Sequence, residues 1–310
     1  VLLRELEYLV ALAKERHFAR AAATCHVSQP SLSAAIRKLE RDLGVPLVQR
    51  GQRFAGLTPE GEKVLLWAQR ILAECDALRQ DLSTMRGSLS GTLRIAAIPT
   101  ALTAASLLTA PFCERHPHIR VSLTSLSSRE INRQLTEFEI DVAMTYLDDE
   151  ELCGVRATPL YEERYLLLTP DDGELADRTV VRWAEVAALP LCLLAPQMRN
   201  RRILDGIFLA SGTTPVPAIE TDTVSALYAH VATHRWSSVI AHAWLHMFGV
   251  PDGMRVVRME RPAHVPRVGL VIADRSPEPV LAQALLDVTR ELDLRDELDR
   301  LVHQHLAPLS

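Results

Sequence analysis

The chain has 310 residues, 48% of them hydrophobic, with 34 Lys plus Arg against 39 Asp plus Glu for a formal net charge of −5. That is enough chain for a small domain plus a larger core-bearing one, and too much apolar content for a disordered protein. No run is apolar enough to span a bilayer, and five dispersed cysteines (Cys25, Cys75, Cys113, Cys153, Cys192) without a C-x-x-C pair argue against a disulfide framework or a structural zinc site.

The N-terminus reads as an amphipathic helix and not as a signal peptide, which leads us to expect a cytoplasmic protein. Residues 18–43 read as two short helices joined by a tight turn, the layout of a DNA-reading helix-turn-helix. Ala19, Ala21, Ala22 and Ala23 make the first helix small enough for the second to cross it closely. Val27 plugs the turn, Ser28 caps the second helix, and Pro30 gives up a donor that a first helical turn does not use. Leu32, Ile36, Leu39 and Leu43 then form one core-facing stripe. The candidate DNA-contacting residues are Ser28, Gln29, Pro30, Ser31, Ser33, Ala34, Arg37 and Lys38, small where a groove would be entered and cationic further along. A short basic stretch with Arg50 and Arg53 suits a wing reaching phosphate or the minor groove. The charge is split accordingly: residues 1–57 carry +4 and the remainder −9.

Thr58-Pro59-Glu60-Gly61-Glu62 is a strong helix start. Val64, Ala68, Ile71, Cys75, Leu78, Leu82, Met85 and Leu89 keep a heptad spacing, so residues 59–87 are expected to pair with the same helix of a second copy. Gly87, Ser88, Ser90 and Gly91 end the helix and form a hinge.

The run from Leu6 to Gly61, with SQPSLSAAIRKLERDLGVPL, Arg50 and LTPEGE, resembles the N-terminal domain of the LysR-type transcriptional regulators. It departs at Ala34 and Val48, where members often carry arginine and phenylalanine, which bears on base reading and wing packing. The resemblance implies an α/β protein: an all-α winged helix-turn-helix (1–58), a long linker and dimerisation helix (59–88), and a two-lobed, periplasmic-binding-protein-like effector domain (89–310). It also implies a small-molecule inducer, binding of double-stranded DNA, contact with RNA polymerase and a homotetramer; no cofactor or metal is expected, since no motif for one occurs.

After Gly91 strands alternate with helices: strands 93–98, 119–126 and 141–145 with helices 102–115 and 130–138, then strands 164–169, 191–195, 218–221 and 238–241 with helices 183–188, 201–210 and 224–233. This alternation implies parallel βαβ units. We place lobe I at 89–163 and 266–310, with a strand at 268–273 and a helix at 278–292, and lobe II at 164–265. Ligands sit at strand carboxyl ends in such sheets, which selects Pro99, Thr100, Thr103, Ser125, Ser127, Ser128, Thr145, Gln197, Arg199, Arg201, Thr221, Asp222 and Thr223. Thr100 leads, since it opens a helix whose free N–H groups suit a carboxylate. For each hydroxyl, simple helix capping is an equal alternative, and Arg199, Arg201 and Arg202 read first as a solvated loop face, with a bidentate carboxylate contact if one turns inward. A small organic acid is favoured as inducer, with aromatic and amino-acid inducers open.

Enzyme signatures fail. His242-Ala243-Trp244-Leu245-His246 has the histidine spacing of a zinc-protease helix but Ala243 where the catalytic glutamate belongs, and His230 and His234 lack a third ligand; no G-x-S-x-G, G-x-G-x-x-G or P-loop occurs. The expected function is sequence-specific DNA binding at an interrupted inverted repeat, modulated by an inducer in the cleft. Two alternatives stay open: cysteine-based redox sensing through Cys113, Cys153 and Cys192, and a small-solute-binding protein without an operator.

Overall fold

The computed structural model describes residues 1–49, 54–85, 89–148, 152, 154–175, 177–274 and 278–306. They form two compact units, Val1–Leu89 and a second built from Ser90–Thr136 and from Ile140 onward. No helix among the described residues is long and apolar enough to cross a membrane.

The first unit contains α1 (Leu3–Glu15), α2 (Phe18–Thr24), α3 (Gln29–Leu43) and α4 (Pro59–Met85). Ser28 caps α3, its Oγ accepting the Ser31 N–H at 3.3 Å, and Gly44 stops it in the left-handed conformation (φ 73°). Leu32, Ile36 and Leu39 are buried with Leu6, Leu9 and Leu12 of α1, and Ala21 and Ala22 let α2 sit against them. Leu43, expected on the same stripe, is 39% exposed. It is the last residue of α3, beyond the reach of α1 and α2.

The wing starts as an antiparallel bridge between Val48 and Leu57, with the Gln49 N–H on the Gly56 carbonyl at 3.0 Å. Arg50 and Arg53 lie outside the described residues, as do Gly87 and Ser88 of the expected hinge. Thr58 accepts the Gly61 N–H at 2.9 Å and so opens α4. Gly61 is obligatory there, because a Cβ would stand 2.1 Å from the Leu47 carbonyl oxygen. The heptad seam of α4 is divided: Val64 and Ala68 pack into the core, whereas Ile71, Leu78 and Leu82 stay exposed beside Trp67.

In chain order the second unit contains β1 (Gly91–Ala97), α5 (Ser106–Arg115), β2 (Ile119–Ser125), α6 (Ser128–Thr136), β3 (Val142–Tyr146), β4 (Val155–Glu162), β5 (Tyr165–Pro170), β6 (Val180–Val181), α7 (Trp183–Ala187), β7 (Cys192–Leu194), α8 (Arg199–Ala210), β8 (Ile219–Thr221), α9 (Val224–Val231), β9 (Ser238–Ala241), α10 (Leu245–Phe248), β10 (Met254–Met259), β11 (Arg267–Ala273), α11 (Val280–Glu291) and α12 (Leu294–His305). One sheet has the order β2-β1-β3-β11-β4 and another β6-β10-β5-β9, with β7 and β8 paired separately. A bridge from Leu191 to Ser237 ties β7 to β9.

The sheets are mixed and not purely parallel. β1, β2 and β3 run parallel, but β11 is antiparallel to both of its neighbours, and β5 is antiparallel to β9 and β10. The reason is the crossing of the chain between lobes, after β4 at 163–164 and after β10 at 260–266, which returns each sheet a strand from the opposite side. The two crossings hold each other, the Glu163 N–H donating to the Pro266 carbonyl at 2.8 Å. α12, expected with lobe I, instead places Val302 in the lobe II core beside Leu166, Trp244 and Val256, and Arg164 pairs with Asp299 at 2.8 Å.

Candidate functional site

On the first unit, the N-terminal face of α3 is a solvent-facing surface on a rigid support. Ser28, Gln29, Pro30, Ser31, Ala34 and Arg37 are exposed, and Ser33 is half-buried. Arg37 and Arg41 edge a shallow concavity of 640 Å³ whose other wall is the wing base at Val48 and Gln49. Glu40 fixes that wall, its Oε1 accepting the Leu47 and Val48 N–H groups at 2.8 and 3.2 Å. Sequence reading misses Glu40 because a glutamate on a helix looks like any solvated side chain. The helix and the base of the wing thus present one partly cationic face, and a groove reader needs such a face.

Lys38 departs from its expected role. Its ammonium bonds the carboxylate of buried Glu5 and that of Asp42 at 3.2 Å. The Lys38 hydrogen bond, followed by that of the Leu2 N–H, holds the Glu5 carboxyl below the usual carboxylate range; in turn Glu5, then Asp42, raises the Lys38 ammonium. A cation already shared by two carboxylates joins α1 to α3 and is a poor phosphate contact.

In the second unit, the expected effector residues fall into three groups. Ser125, Gln197 and Thr223 are exposed at strand ends, with Pro99, Arg199 and Thr221 half-buried. Thr223 spends its hydroxyl as the cap of α9, accepting the Ala226 N–H at 3.2 Å, and Ser127 does the same for Glu130 at 3.3 Å. Thr145 and Ser128 are buried, as is Arg201. Arg201 is structural: its guanidinium binds Asp205 at 2.8 Å, Glu220 at 2.7 Å and the Leu194 carbonyl at 2.8 Å, stitching α8 to β7 and β8.

Thr100 is buried, and its setting differs from the expected anion cradle. The Ala101 and Leu102 N–H groups both donate to the Ile98 carbonyl at 3.0 Å, and a 3-10 turn, Leu102–Ala104, separates Thr100 from the start of α5. Its hydroxyl lies 3.3 Å from the Tyr146 hydroxyl, while its carbonyl accepts the Trp244 indole N–H at 3.1 Å. Thr103 donates to the Ala243 carbonyl at 3.3 Å, so lobe II closes directly over this turn.

Below it lies a polar cluster that no local pattern announces. Glu163, at the first crossing, is 1% exposed, and its Oε2 accepts the Tyr146 and Tyr165 hydroxyls at 2.9 Å each and Asn200 Nδ2 at 3.3 Å. Asn200 also donates to Tyr146 at 3.1 Å. Burial pushes the Glu163 carboxyl up to about 7, against the opposing hydrogen bonds of Tyr165, Tyr146 and Asn200. One residue of lobe I, Tyr146, and two of lobe II, Tyr165 and Asn200, therefore share the single charge-bearing group at the crossing. Tyrosines inside apolar strands read as core, which hides Tyr146 and Tyr165 from sequence analysis.

His242 belongs to the packing. It is buried against Tyr161, its Nδ1 accepts the Arg164 N–H at 3.1 Å, and burial pushes its imidazole down to about 3. His246 instead meets the Ser106 hydroxyl at 3.1 Å. Among the described residues no His, Cys, Asp and Glu cluster could hold a metal. Burial pushes the Cys192 thiol up to about 11, and burial followed by the charge of Glu7 raises Cys25; Cys113 is exposed and Cys153 lies outside the described residues.

Residues 3–62 match the family model described as a bacterial regulatory helix-turn-helix protein of the lysR family, and residues 86–293 match the LysR substrate binding domain. The DNA-binding transcriptional dual regulator OxyR of Escherichia coli K12 is 36% identical over 201 residues, 62% of this chain and 63% of that protein, so this alignment spans less than two thirds of the relative. The hydrogen peroxide-inducible genes activator of Dickeya chrysanthemi is 29% identical over 290 residues, 93% of this chain and 95% of that protein. Full-length OxyR from Pseudomonas aeruginosa, carrying a Cys-to-Asp substitution, superposes with a TM-score of 0.76 at 26% identity, covering 96% of this chain and 97% of that one. With both of its units matched in order, head first and two-lobed domain second, the chain belongs to the LysR family.

Proposed function

We propose that this protein is a sequence-specific DNA-binding transcriptional regulator whose grip on DNA responds to a small molecule held between the lobes of its second unit. The observation that carries the reading is the exposed face of α3 from Ser28 to Arg37, capped, rigidly backed and flanked by a wing. Its small N-terminal residues admit close approach to base edges, and Arg37 presents an unburied guanidinium further along the helix.

The exposed stripe Trp67, Ile71, Leu78 and Leu82 supports a homodimer through α4, and a dimer of such heads reads an interrupted inverted repeat. A homotetramer, contact with RNA polymerase and a cytoplasmic location extend the reading by family resemblance. The hinge cluster supports the response: Tyr146, Glu163 and Asn200 join lobe I, the crossing and lobe II, so an inducer that favours one lobe arrangement acts on bonds already in place. A small organic acid is the class we favour for it.

A cysteine-based redox response through Cys113, Cys153 and Cys192 rests on the names of the relatives and gains nothing from Cys192, whose thiol burial pushes up to about 11, because a protonated thiol is a poor nucleophile.

The test is binding of the purified protein to DNA from its own upstream intergenic region, at fixed salt against scrambled competitor. Arg37→Ala is expected to lower specific affinity by about 1–3 kcal/mol and leave inducer binding unchanged. Specific affinity untouched by Arg37→Ala would falsify the placement of the reading face. No preference over competitor at any salt would leave a small-solute-binding protein.

A further inference from the structure

Three cations stand on the exposed side of α3: Arg37, Lys38 and Arg41. Lys38 is held by Glu5 and Asp42 and so belongs to the head's own structure. Arg41 sits between Glu40 and Asp42 in the chain, yet both carboxylates turn elsewhere. Glu40 accepts the Leu47 and Val48 N–H groups, and Asp42 accepts Lys38. Arg41 is exposed and, like Arg37, has no ion-pair partner among the described residues.

Both arginines edge the 640 Å³ concavity between α3 and the wing base, where Glu40 is the one carboxylate of the lining. Gly44, Val45 and Pro46 also line it and carry no long side chain that would block an approaching strand. The facing wall is braced: Gln49 Nε2 donates to the Leu57 carbonyl at 2.9 Å, and the Thr58 hydroxyl donates to the Pro46 carbonyl at 2.6 Å. Position along the helix separates the two arginines. At 1.5 Å per residue, Arg41 stands about 20 Å of helix from Ser28, more than twice the major groove's depth of about 8.5 Å. A helix that enters by its N-terminal residues reaches base edges through residues 28–34 and the long Arg37 side chain, and carries Arg41 to the rim, where phosphates lie. Helix side chains lean toward the N-terminus, which directs the Arg41 guanidinium at that backbone and not away from it.

We propose that Arg41 is a backbone clamp of the head: its guanidinium takes a phosphate diester of duplex DNA at the mouth of the concavity, seating the helix while the turns before it read sequence. The clamp rests on the DNA-binding reading and adds to it a residue whose contact carries no sequence information. An arginine in the last turn of a helix also complements the helix dipole, a role that involves no DNA. The salt dependence of binding tells the two roles apart, because only a phosphate contact releases a counterion.

The probes are a fluorescent duplex from the protein's own upstream intergenic region and a scrambled duplex of equal length. The full-length protein is titrated into each and followed by anisotropy, at salt concentrations from about 50 to 200 mM. Arg41→Ala is expected to weaken both duplexes by the same factor, about tenfold, and to lower the slope of log K against log salt by about 0.9 for each bound head. Arg41→Lys should restore the slope, since the charge is kept, but only part of the affinity, since the two-pronged donor is lost. Arg37→Ala should instead narrow the gap between the two duplexes. A slope unchanged in Arg41→Ala, or a loss confined to the intergenic duplex, overturns the clamp even where the wild type prefers that duplex. A wild type that binds both duplexes equally overturns the sequence-specific reading and leaves the Arg41→Ala slope to decide the clamp; a wild type that binds neither overturns both.

Discussion

Replacing Glu163 by glutamine should remove a fall in the stability of the second unit with rising pH. The wild-type carboxyl is 1% exposed, and burial pushes it up to about 7 from an ordinary 4.5. The folded state therefore binds more protons than the unfolded chain between these values, so stability falls as pH rises through that window and levels off above about 7. At ~1.4 kcal/mol per pH unit, the gap amounts to about 3 kcal/mol of destabilisation in the ionised protein. Glutamine keeps an acceptor for Tyr146, Tyr165 and Asn200 but sets an amide NH2 where Oε1 has no partner among the described residues, a cost of about 1 kcal/mol. Glu163→Gln is then expected to match the wild type near about pH 5 and to exceed it by about 2 kcal/mol near about pH 8. Urea denaturation followed by tryptophan fluorescence at both pH values measures this. A difference between variant and wild type that stays flat across the range would refute the argument that burial governs this group.

Gly61→Ala places a Cβ 2.1 Å from the Leu47 carbonyl and should cost about 3 kcal/mol, visible as early unfolding of the head in thermal scans monitored by circular dichroism. Ser28→Ala removes the cap of α3 and should cost about 1 kcal/mol, with a matching rise in amide exchange at Ser31. Leu78→Glu puts a charge into the exposed α4 stripe and should shift sedimentation equilibrium toward the monomer without lowering the melting temperature; an unchanged dimer would place the interface elsewhere.

Local chemistry writes the head into the sequence. Ser28, Pro30 and Gly44 fix where α3 begins and ends through backbone donors and a left-handed cap, and Leu32, Ile36 and Leu39 fix which side turns inward. Each of these effects spans a few residues, so the one-dimensional pattern contains it. The βα alternation of the second unit is legible on the same ground, and so are the strand ends where ligand contacts are sought.

The pattern cannot contain the fate of a polar group whose partner is distant in sequence. Lys38 reads as a phosphate contact until Glu5, 33 residues away, takes its ammonium. Arg201 reads as a candidate anion binder until β8 brings Glu220 against it, and α12 reads as a lobe I helix until Val302 finds the lobe II core. The β4 strand and the antiparallel return of β11 come from the double crossing, which is a property of topology and not of any local run. Glu163 is the clearest case: nothing beside it in the chain marks it, and only the convergence of Tyr146, Tyr165 and Asn200 in a buried hinge makes it the residue on which both lobes close. Where helices and strands begin, and which of their faces are apolar, depends on neighbours along the chain and is therefore readable in one dimension. Which charges are free to meet a ligand depends on desolvation and pairing, and these are set by neighbours in space.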